Sequence, residues 1–277
     1  MKRIKDWEEL TIQDNFLFQK VMRNKRLCQH LIEKILQIKI ADITYPDTEK
    51  TIDIRLDSKS VRLDVYVKDD TGRVFDIEMQ CTDEKDNGLA KRTRYYQAMI
   101  DMDVLEKGDD YSMLNPAYII FICTFDAFDR GLPMYTFRNR CVEQDGIELN
   151  DEATKIFLNS KGDSEALDPD VRAFLRYVDG KAAEGVFVQE VDKEVRRVKQ
   201  HDETRREYMT LAMELKRQRQ EGIAEGLAEG LAEGSANEKK KIIVTMLRKG
   251  LSVEFIADCV QTSAEYIIEL GKKQHLL

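Results

Sequence analysis

Three polar side chains on two neighbouring strand-like segments have the types and spacing that metal-assisted phosphate chemistry requires. Asp64 lies in the first segment, and Glu78 and Gln80 lie two residues apart in the second. Alternate residues of a strand point to the same side, so Glu78 and Gln80 share a face. Paired carboxylates repel each other unless a proton or a cation lies between them, and a divalent ion such as Mg²⁺ prefers oxygen ligands. Such an ion can activate a water molecule and stabilise a phosphate under attack.

The register of the two segments predicts that the two carboxylates lie opposite each other. Residues 61–68 and 74–80 both alternate between apolar and polar side chains, which is typical of an antiparallel pair with one apolar face. The apolar faces match only across an odd-numbered loop, and a three-residue loop that ends at Gly72 with a positive φ satisfies this condition. Asp64 then faces Glu78 with Cβ atoms about 5 Å apart. The alternative is that both carboxylates belong to the solvated face of an ordinary sheet.

The elements that must position these residues follow the order α-β-β-β-α-β. Helical and strand-like patterns alternate along the chain in this sequence: a helix at 14–37, strands at 51–57, 61–68 and 74–80, a helix at about 89–107, a strand at 117–123, a weaker strand at 134–140 and a helical segment at about 169–178. The run at 117–123 is apolar on both sides and follows a helix, which predicts a buried strand parallel to 74–80. We therefore predict an α/β fold with a mixed sheet.

The remaining residues predict a helical C-terminal extension. A long polar helix is expected from about residue 186 to 219, followed by a Glu-Gly-x-Ala repeat that begins at Glu221. Glycine and like charges four residues apart both weaken a helix, so the repeat predicts a marginally helical spacer. Short apolar stripes, with Ser252 and Thr262 as helix caps, predict a small helix-turn-helix-like tail. The predicted domains are a core at 1–180, a long helix and spacer at 181–235, and a tail at 236–277.

Composition argues against several other classes of protein. The chain has 277 residues, of which 42% are hydrophobic, and no run approaches the ~20 apolar residues of a membrane helix. Five scattered cysteines and three histidines disfavour a disulfide scaffold, a zinc ribbon and a serine–histidine–aspartate triad. No secretory signal is expected, so we expect a soluble, cytoplasmic protein. The net charge of −8 lies entirely within residues 1–180, so contact with nucleic acid requires local basic patches or a metal that neutralises clustered carboxylates.

An ordered set of motifs resembles the Rpn family of recombination-promoting nucleases, also described as transposases, within the PD-(D/E)XK nuclease superfamily. The stretches that carry the resemblance are DNFLF at 14–18, RLDV at 62–65, IEMQ at 77–80, KRTRYY at 91–96 and YIIFI at 118–122. The C-terminal repeats are also similar to the tails of that family. The resemblance covers most of the chain.

This resemblance implies a PD-(D/E)XK-like core and a bacterial, metal-dependent DNA endonuclease linked to recombination or mobile elements. It implies that Asp64 and Glu78 hold Mg²⁺ or Mn²⁺ together with the backbone carbonyl of Met79. Gln80 stands where the wider superfamily has lysine, and it would orient the attacking water or the phosphate by hydrogen bonds instead of charge. The further site residues that the resemblance suggests are Arg92, Arg94 and Tyr96 as phosphate contacts, and Glu33 as an addition from the first helix.

A rival interpretation comes from a different class of protein. In it the chain is a catalytically weak DNA-associated or partner-binding protein, and the acidic face of the sheet is solvated. The nuclease should be stabilised by Mg²⁺ or Mn²⁺, whereas the binding module should not. Under either interpretation, the apolar stripes of the C-terminal helices are too short to bury themselves, which predicts a homo-oligomer formed through these helices.

Overall fold

The computed structural model describes residues 3–46, 51–52, 61–83, 88–105, 107–163 and 165–277, and at 51–52 and 61–62 it describes the backbone. The chain divides into a unit of residues 5–208 and a second unit formed mainly by residues 209–277. The helices are α1 (Asn15–Met22), α2 (Lys25–Leu36), α3 (Gly88–Val104), α4 (Pro169–Val178), α5 (Val186–Lys199), α6 (Asp202–Arg248), α7 (Val253–Val260) and α8 (Ala264–Lys273). The strands are β1 (Ile43–Thr44), β2 (Thr51–Ile52), β3 (Val61–Arg62), β4 (Val65–Asp69), β5 (Val74–Gln80), β6 (Ala117–Cys123), β7 (Met134–Phe137) and β8 (Ala153–Asn159).

The first unit is built on a mixed six-stranded sheet with the strand order β1-β4-β5-β6-β8-β7. The central strands β5, β6 and β8 are parallel, whereas β1 and β4 pair antiparallel at one side and β7 pairs antiparallel with β8 at the other. The predicted α/β class with a mixed sheet is confirmed. The predicted parallel pairing of β5 with the apolar run at 117–123 is also confirmed, and β6 is buried over nearly its whole length.

The hairpin of β4 and β5 has the predicted register. Val65 pairs with Ile77 and Tyr66 pairs with Asp76, so the same register continued by one step sets Asp64 across from Glu78. The N–H of Asp69 donates to the carbonyl of Arg73 (3.0 Å), which leaves three residues in the loop, and Gly72 has a φ of +88°. The register is therefore set by the odd number of residues in the loop and by a glycine that adopts a positive φ there.

The predicted first strand of the meander is confirmed in part, because Thr51 and Ile52 form β2. The outer neighbour of β4 is the two-residue strand β1, and β2 pairs instead with β3 in a separate two-stranded ladder. Residues 53–57 of the predicted strand lie outside the described residues. A strand of two residues shows no alternation, so β1 leaves no periodic signal in the sequence.

Strand β8 was missed, although it lies in the sheet between β6 and β7. Its apolar residues are concentrated in the short run Ile156–Leu158, which carries neither a period of two nor the length of β6. The strand is nevertheless necessary, because it supplies the second parallel ladder of β6 and covers the far side of that strand. The weaker strand expected at 134–140 is present as β7.

Two segments predicted as single helices are each divided in two. The stretch 14–37 breaks at Asn24, whose side chain accepts a hydrogen bond from the N–H of Leu27 (3.4 Å) and caps α2. Asparagine competes for backbone partners and is favoured at such caps over helix interiors. The long helix expected at 186–219 likewise breaks after α5, at Gln200 and His201.

An aromatic cluster joins the N-terminal segment of the first unit to α1 and to the beginning of α6. The indole of Trp7 lies 6.3 Å from the ring of Phe16 and 5.7 Å from that of Tyr208, measured between centroids. The indole N–H donates to the carbonyl of Lys199 (3.3 Å), and the Tyr208 hydroxyl donates to the carbonyl of Lys5 (2.7 Å). Both polar atoms of these large aromatic residues are therefore satisfied where their rings are buried.

Most of the second unit is the part of α6 from Met209 onwards, together with α7 and α8. The Glu-Gly-x-Ala repeat is helical and exposed throughout. The small apolar core of the tail is formed by Ile243, Leu247, Ile256 and Ile267. Ser252 caps α7 as predicted, whereas α8 is capped by Ser263 instead of Thr262, through a hydrogen bond from the N–H of Tyr266 (3.3 Å). In the described part of the chain, no helix is both long and apolar enough to cross a membrane.

Replacing the loop glycine, Gly72→Ala, should destabilise the first unit by about 1–2 kcal/mol, because alanine is strained at a positive φ. An added Cβ would also meet the Asn115 side-chain oxygen at 3.0 Å. The measurement is the midpoint of chemical denaturation followed by circular dichroism. The control is Gly226→Ala in α6, where an added Cβ meets nothing within 4 Å and helix propensity should rise. Equal loss of stability in both variants would contradict this account of the loop.

Candidate active site on the central hairpin

The structure brings Asp64 and Glu78 together and binds each of them to the backbone of the opposite strand. The N–H of Asp64 donates to Glu78 Oε1 (2.8 Å), and the N–H of Met79 donates to Asp64 Oδ2 (3.1 Å). Both carboxylates therefore lie across the same end of the β4–β5 hairpin, at the carboxyl edge of the parallel strands. Binding sites of open α/β sheets commonly lie at this edge.

The part of this face that lies on β5 is buried. Asp76 is 0% exposed and Glu78 is 3% exposed, and every residue of β5 is buried. The alternative of a solvated acidic face is therefore wrong for this strand. Alternation of side chains along a strand identifies two faces, but it does not show that packing covers the polar one.

Asp76 is a third carboxyl group in this site, and no role was expected for it from the sequence. Neither of its carboxylate oxygens has a hydrogen-bond donor among the residues that the structure describes. Its neighbours on the same face of the hairpin are Tyr66, directly across the ladder, and Glu78, two residues along β5. A buried carboxylate without donors is costly, which makes Asp76 unusual among the acidic residues that the structure describes.

Burial raises the pKa of all three carboxyl groups. Desolvation is the largest cause for Asp64, and the hydrogen bond from Gln19 and the N–H of Met79 oppose it. The pKa of Asp76 and that of Glu78 are raised well above their usual range, first by desolvation and then by repulsion from neighbouring carboxylates. Two adjacent carboxyl groups can share a hydrogen bond only when one of them holds a proton. In the absence of a cation, this site therefore favours bound protons.

Arg92 of α3 provides positive charge beside these carboxyl groups. Its Nη2 lies 3.6 Å from Glu78 Oε2 and donates to Gln80 Oε1 (2.9 Å). The guanidinium carbon lies 4.8 Å from the ring centroid of Phe121 and 5.5 Å from that of Tyr96. Arg92 thus lies beside Glu78 and acts through its charge on Asp64 and Asp76, and the aromatic rings hold it there by cation–π contact.

Two amide side chains of α1 complete the surroundings of Asp64. Gln19 Nε2 donates to Asp64 Oδ1 at 2.9 Å, and Asn15 Nδ2 does so at 3.4 Å. Neither residue was expected at this site from the sequence. Their spacing of four residues places them on one helix face, but nothing local connects that face with a strand more than 40 residues away.

The other residues suggested from the sequence take different positions. Glu33 accepts a hydrogen bond from the N–H of Ile40 (2.8 Å) in the turn after α2, and the structure does not bring it to the hairpin. The Met79 side chain is buried in the core, so only its backbone is available to the site. Arg94 is exposed on α3, whereas Tyr96 is half-buried against Phe121.

The donor set fits a divalent cation only in part as the side chains now lie. Among the described residues, no three His, Cys, Asp or Glu side chains are arranged as a ready metal-binding group. Mg²⁺, however, is commonly held by one or two carboxylates and keeps several waters. Two observations fit a cation at this site. The oxygens of Asp76 have no hydrogen-bond donor among the described residues, and the three carboxyl groups, when ionised, carry more negative charge than Arg92 can offset.

Replacing the unsatisfied carboxyl group, Asp76→Asn, should raise the melting temperature in EDTA at pH 8 by about 2–4 °C, or about 1 kcal/mol for a unit of this size. A raised carboxyl pKa means that the folded state binds more protons than the unfolded state. Stability is therefore lost as pH rises from about 4, the unfolded value, through the folded pKa. Asparagine removes this loss, so the gain should shrink towards pH 4. The exposed Asp145→Asn variant is the control, and a pH-independent difference for Asp76→Asn would contradict the prediction.

Comparison with known proteins identifies the family. A family model described as PD-(D/E)XK nuclease family transposase matches residues 15–162, slightly more than half of the chain. No curated protein and no solved structure matched the chain. The matched range contains the hairpin, both amides of α1 and the arginine of α3. The chain therefore belongs to the PD-(D/E)XK nuclease family transposases.

Proposed function

We propose that the protein is a metal-dependent DNA endonuclease that acts in recombination or in the movement of mobile elements. The observation that carries this proposal is the pair of carboxylates formed by half-buried Asp64 and buried Glu78, each bound to the backbone of the opposite strand. Membership in a nuclease family described as transposases supports DNA as the substrate. Hydrolysis would join a water oxygen to phosphorus and release the leaving oxygen of the DNA backbone with a proton.

The residues proposed to hold Mg²⁺ or Mn²⁺ are Asp64, Glu78 and the backbone carbonyl of Met79. When bound, the ion would supply a Lewis acid that lowers the pKa of water and offsets negative charge on the phosphate. Charge balance supports this assignment. Three ionised carboxylates at Asp64, Asp76 and Glu78 carry three negative charges, which one divalent ion and the Arg92 guanidinium would together neutralise.

The protein's own groups prepare this site before any ligand arrives. The amides of Asn15 and Gln19 hold one oxygen of Asp64, and the N–H of Met79 holds the other. These fixed donors limit rotation of the carboxylate and set its direction, which is the positional support that a catalytic group requires. Burial of Glu78 keeps the electrostatic field at this site stronger than it would be in water.

The exposed surface of α3 is proposed to contact the DNA backbone near this site. Arg94 is exposed two residues beyond Arg92, and Tyr96 lies half-buried one turn of helix beyond Arg92. Guanidinium groups bind phosphate oxygens through paired hydrogen bonds, and these contacts depend on salt but not on base sequence. Arg94 would therefore contribute to binding, whereas the ring of Tyr96 mainly packs against Phe121.

Neutralising either proposed ligand, by Asp64→Asn or Glu78→Gln, should abolish plasmid cleavage without unfolding the protein, because each change keeps the size of the side chain. The same variants should lose the rise in melting temperature that Mg²⁺ or Mn²⁺ gives the wild type. The measurements are plasmid nicking and thermal melting, each with metal and with EDTA. Asp145→Asn, on an exposed loop, is the control. Near-wild-type cleavage by both variants would show that the site is wrongly assigned.

The C-terminal helices are proposed to form a homodimer. The tail buries a core of four apolar residues, yet Phe255 of α7 remains 53% exposed. Truncation after Gly234 should convert a dimer into a monomer, as measured by light scattering coupled to size-exclusion chromatography. Phe255→Glu should shift the mass in the same direction, whereas Val142→Glu, at an exposed position of the first unit, should not. A truncated protein that keeps twice the monomer mass would contradict this assembly.

A further inference from the structure

The side-chain amide of Gln80 is engaged at both ends. Its Nε2 donates to the backbone carbonyl of Thr82 (2.5 Å), and its Oε1 accepts from Arg92 Nη2 (2.9 Å). The reverse orientation would set the amide nitrogen against the guanidinium and the amide oxygen against the carbonyl, so donors would face donors and acceptors would face acceptors. The hydrogen-bonding pattern therefore fixes the amide in one orientation.

This orientation leaves Gln80 poorly placed to direct an attacking water. Its acceptor oxygen is occupied by Arg92, and its donor is occupied by Thr82. To bind a water molecule, Gln80 would have to release one of these partners. The contact that the structure does show is a link from the backbone after β5, through the amide, to the guanidinium.

Arg92 is held on several sides within the fold. Its side chain is 24% exposed, its guanidinium lies over the rings of Phe121 and Tyr96, and Gln80 holds one of its nitrogens. Its ion pair with Glu78 is long, at 3.6 Å, which exceeds the length of a hydrogen bond. Glu78 can therefore turn towards another cation without displacing Arg92 from Gln80 and the aromatic rings.

We propose that Arg92 is the positively charged group that contacts the phosphodiester to be cleaved, and that Gln80 is a positioning residue that acts through Arg92. This inference rests on the nuclease activity proposed above and deepens it. In this chain the charge comes from the following helix, and the glutamine directs it to the end of the hairpin.

The chemistry favours arginine in this role. A guanidinium group is planar and its charge is delocalised, so Arg92 keeps its positive charge while it binds Gln80, and its shape matches the non-bridging oxygens of a phosphate. As negative charge develops on these oxygens during attack, a fixed cation stabilises the transition state more than the ground state.

A double-mutant cycle tests whether Gln80 acts through Arg92. Arg92→Met removes the charge but keeps an apolar stem over Phe121, and it should lower kcat by about 100-fold. Gln80→Ala should lower kcat by at least about 10-fold in the wild type and by less than about 3-fold in the Arg92→Met background. Additive effects in the double variant would overturn the positioning role of Gln80.

Metal binding provides a readout that does not depend on activity. The dissociation constant for Mn²⁺ is measured by calorimetry in the absence of DNA, and in Gln80→Ala it should stay within about 3-fold of the wild-type value. In Arg92→Met it should not rise, because this variant lacks a cation beside Glu78 that would compete with the metal. Loss of Mn²⁺ binding in either variant would show that the pair supports the metal ligands instead of the phosphate. Melting temperatures would confirm that each variant is folded.

A charge-relocation variant completes the test. Gln80→Lys in the Arg92→Met background restores a cation at the end of the hairpin, and it should recover at least about 10-fold in kcat over Arg92→Met alone. Arg26→Met, which removes an exposed ion-paired arginine of α2, is the matched control and should cleave like the wild type. Cleavage by the wild type without recovery in the lysine variant would overturn this inference alone. A wild type that leaves DNA uncut in Mg²⁺ and in Mn²⁺ would overturn the proposed function together with it.

Discussion

Buried Asp76 and Glu78 and half-buried Asp64 place three carboxyl groups near the guanidinium of Arg92, and the rest of this site is organised around that imbalance of charge. Each nearby element supplies hydrogen-bond donors or positive charge that partly stabilise the carboxylates. The opposite strand supplies backbone N–H donors to Asp64 and Glu78, α1 supplies two amides, and α3 supplies Arg92. None of these contacts reaches the oxygens of Asp76. Apolar residues would stabilise the middle of a sheet better, so such an arrangement is typical of a site retained for function.

The sheet makes this arrangement possible because β5 lies between an antiparallel and a parallel neighbour. The antiparallel neighbour β4 brings Asp64 to the carboxyl end of β5 through a three-residue loop. The parallel neighbour β6 places Phe121 beside Glu78 in the ladder, and this ring lies under the guanidinium of Arg92. One strand therefore aligns the carboxylates, and the other supports the cation that faces them. The crossover helix between β5 and β6 carries that cation.

The predictable features were those set by short-range rules. Three local features set the register: the odd length of the loop, the alternation of apolar and polar side chains, and the ability of Gly72 to adopt a positive φ. The register that places Asp64 opposite Glu78 therefore followed from residues 61–80 alone. The buried state of Glu78 did not follow, because alternation distinguishes two faces without showing which elements cover them. The amides of α1 are separated from Asp64 by 45 or more positions in sequence. Contacts of that range depend on packing between elements, which no single-segment pattern encodes.

The same limit explains why the two arginines of α3 could not be distinguished. Arg92 and Arg94 are two positions apart on a helix, so they point in directions that differ by about 200°. From the sequence both are basic residues near an acidic strand. Only the packing of α3 against β6 shows that Arg92 faces the carboxylates and that Arg94 faces solvent. The role of Gln80 depends on this same packing, because its partner lies on the helix and not on the strand.

The aromatic cluster around Trp7 has a practical consequence for observing this protein. Trp7 is the single tryptophan of the chain, and its ring contacts Phe16, the residue next to Asn15, which donates to Asp64. Intrinsic tryptophan fluorescence therefore originates from one defined place, beside the helix that holds the first carboxylate. A change in the packing of α1 would alter the emission of that indole without any added label. The fold thus contains a built-in optical reporter adjacent to its proposed catalytic groups.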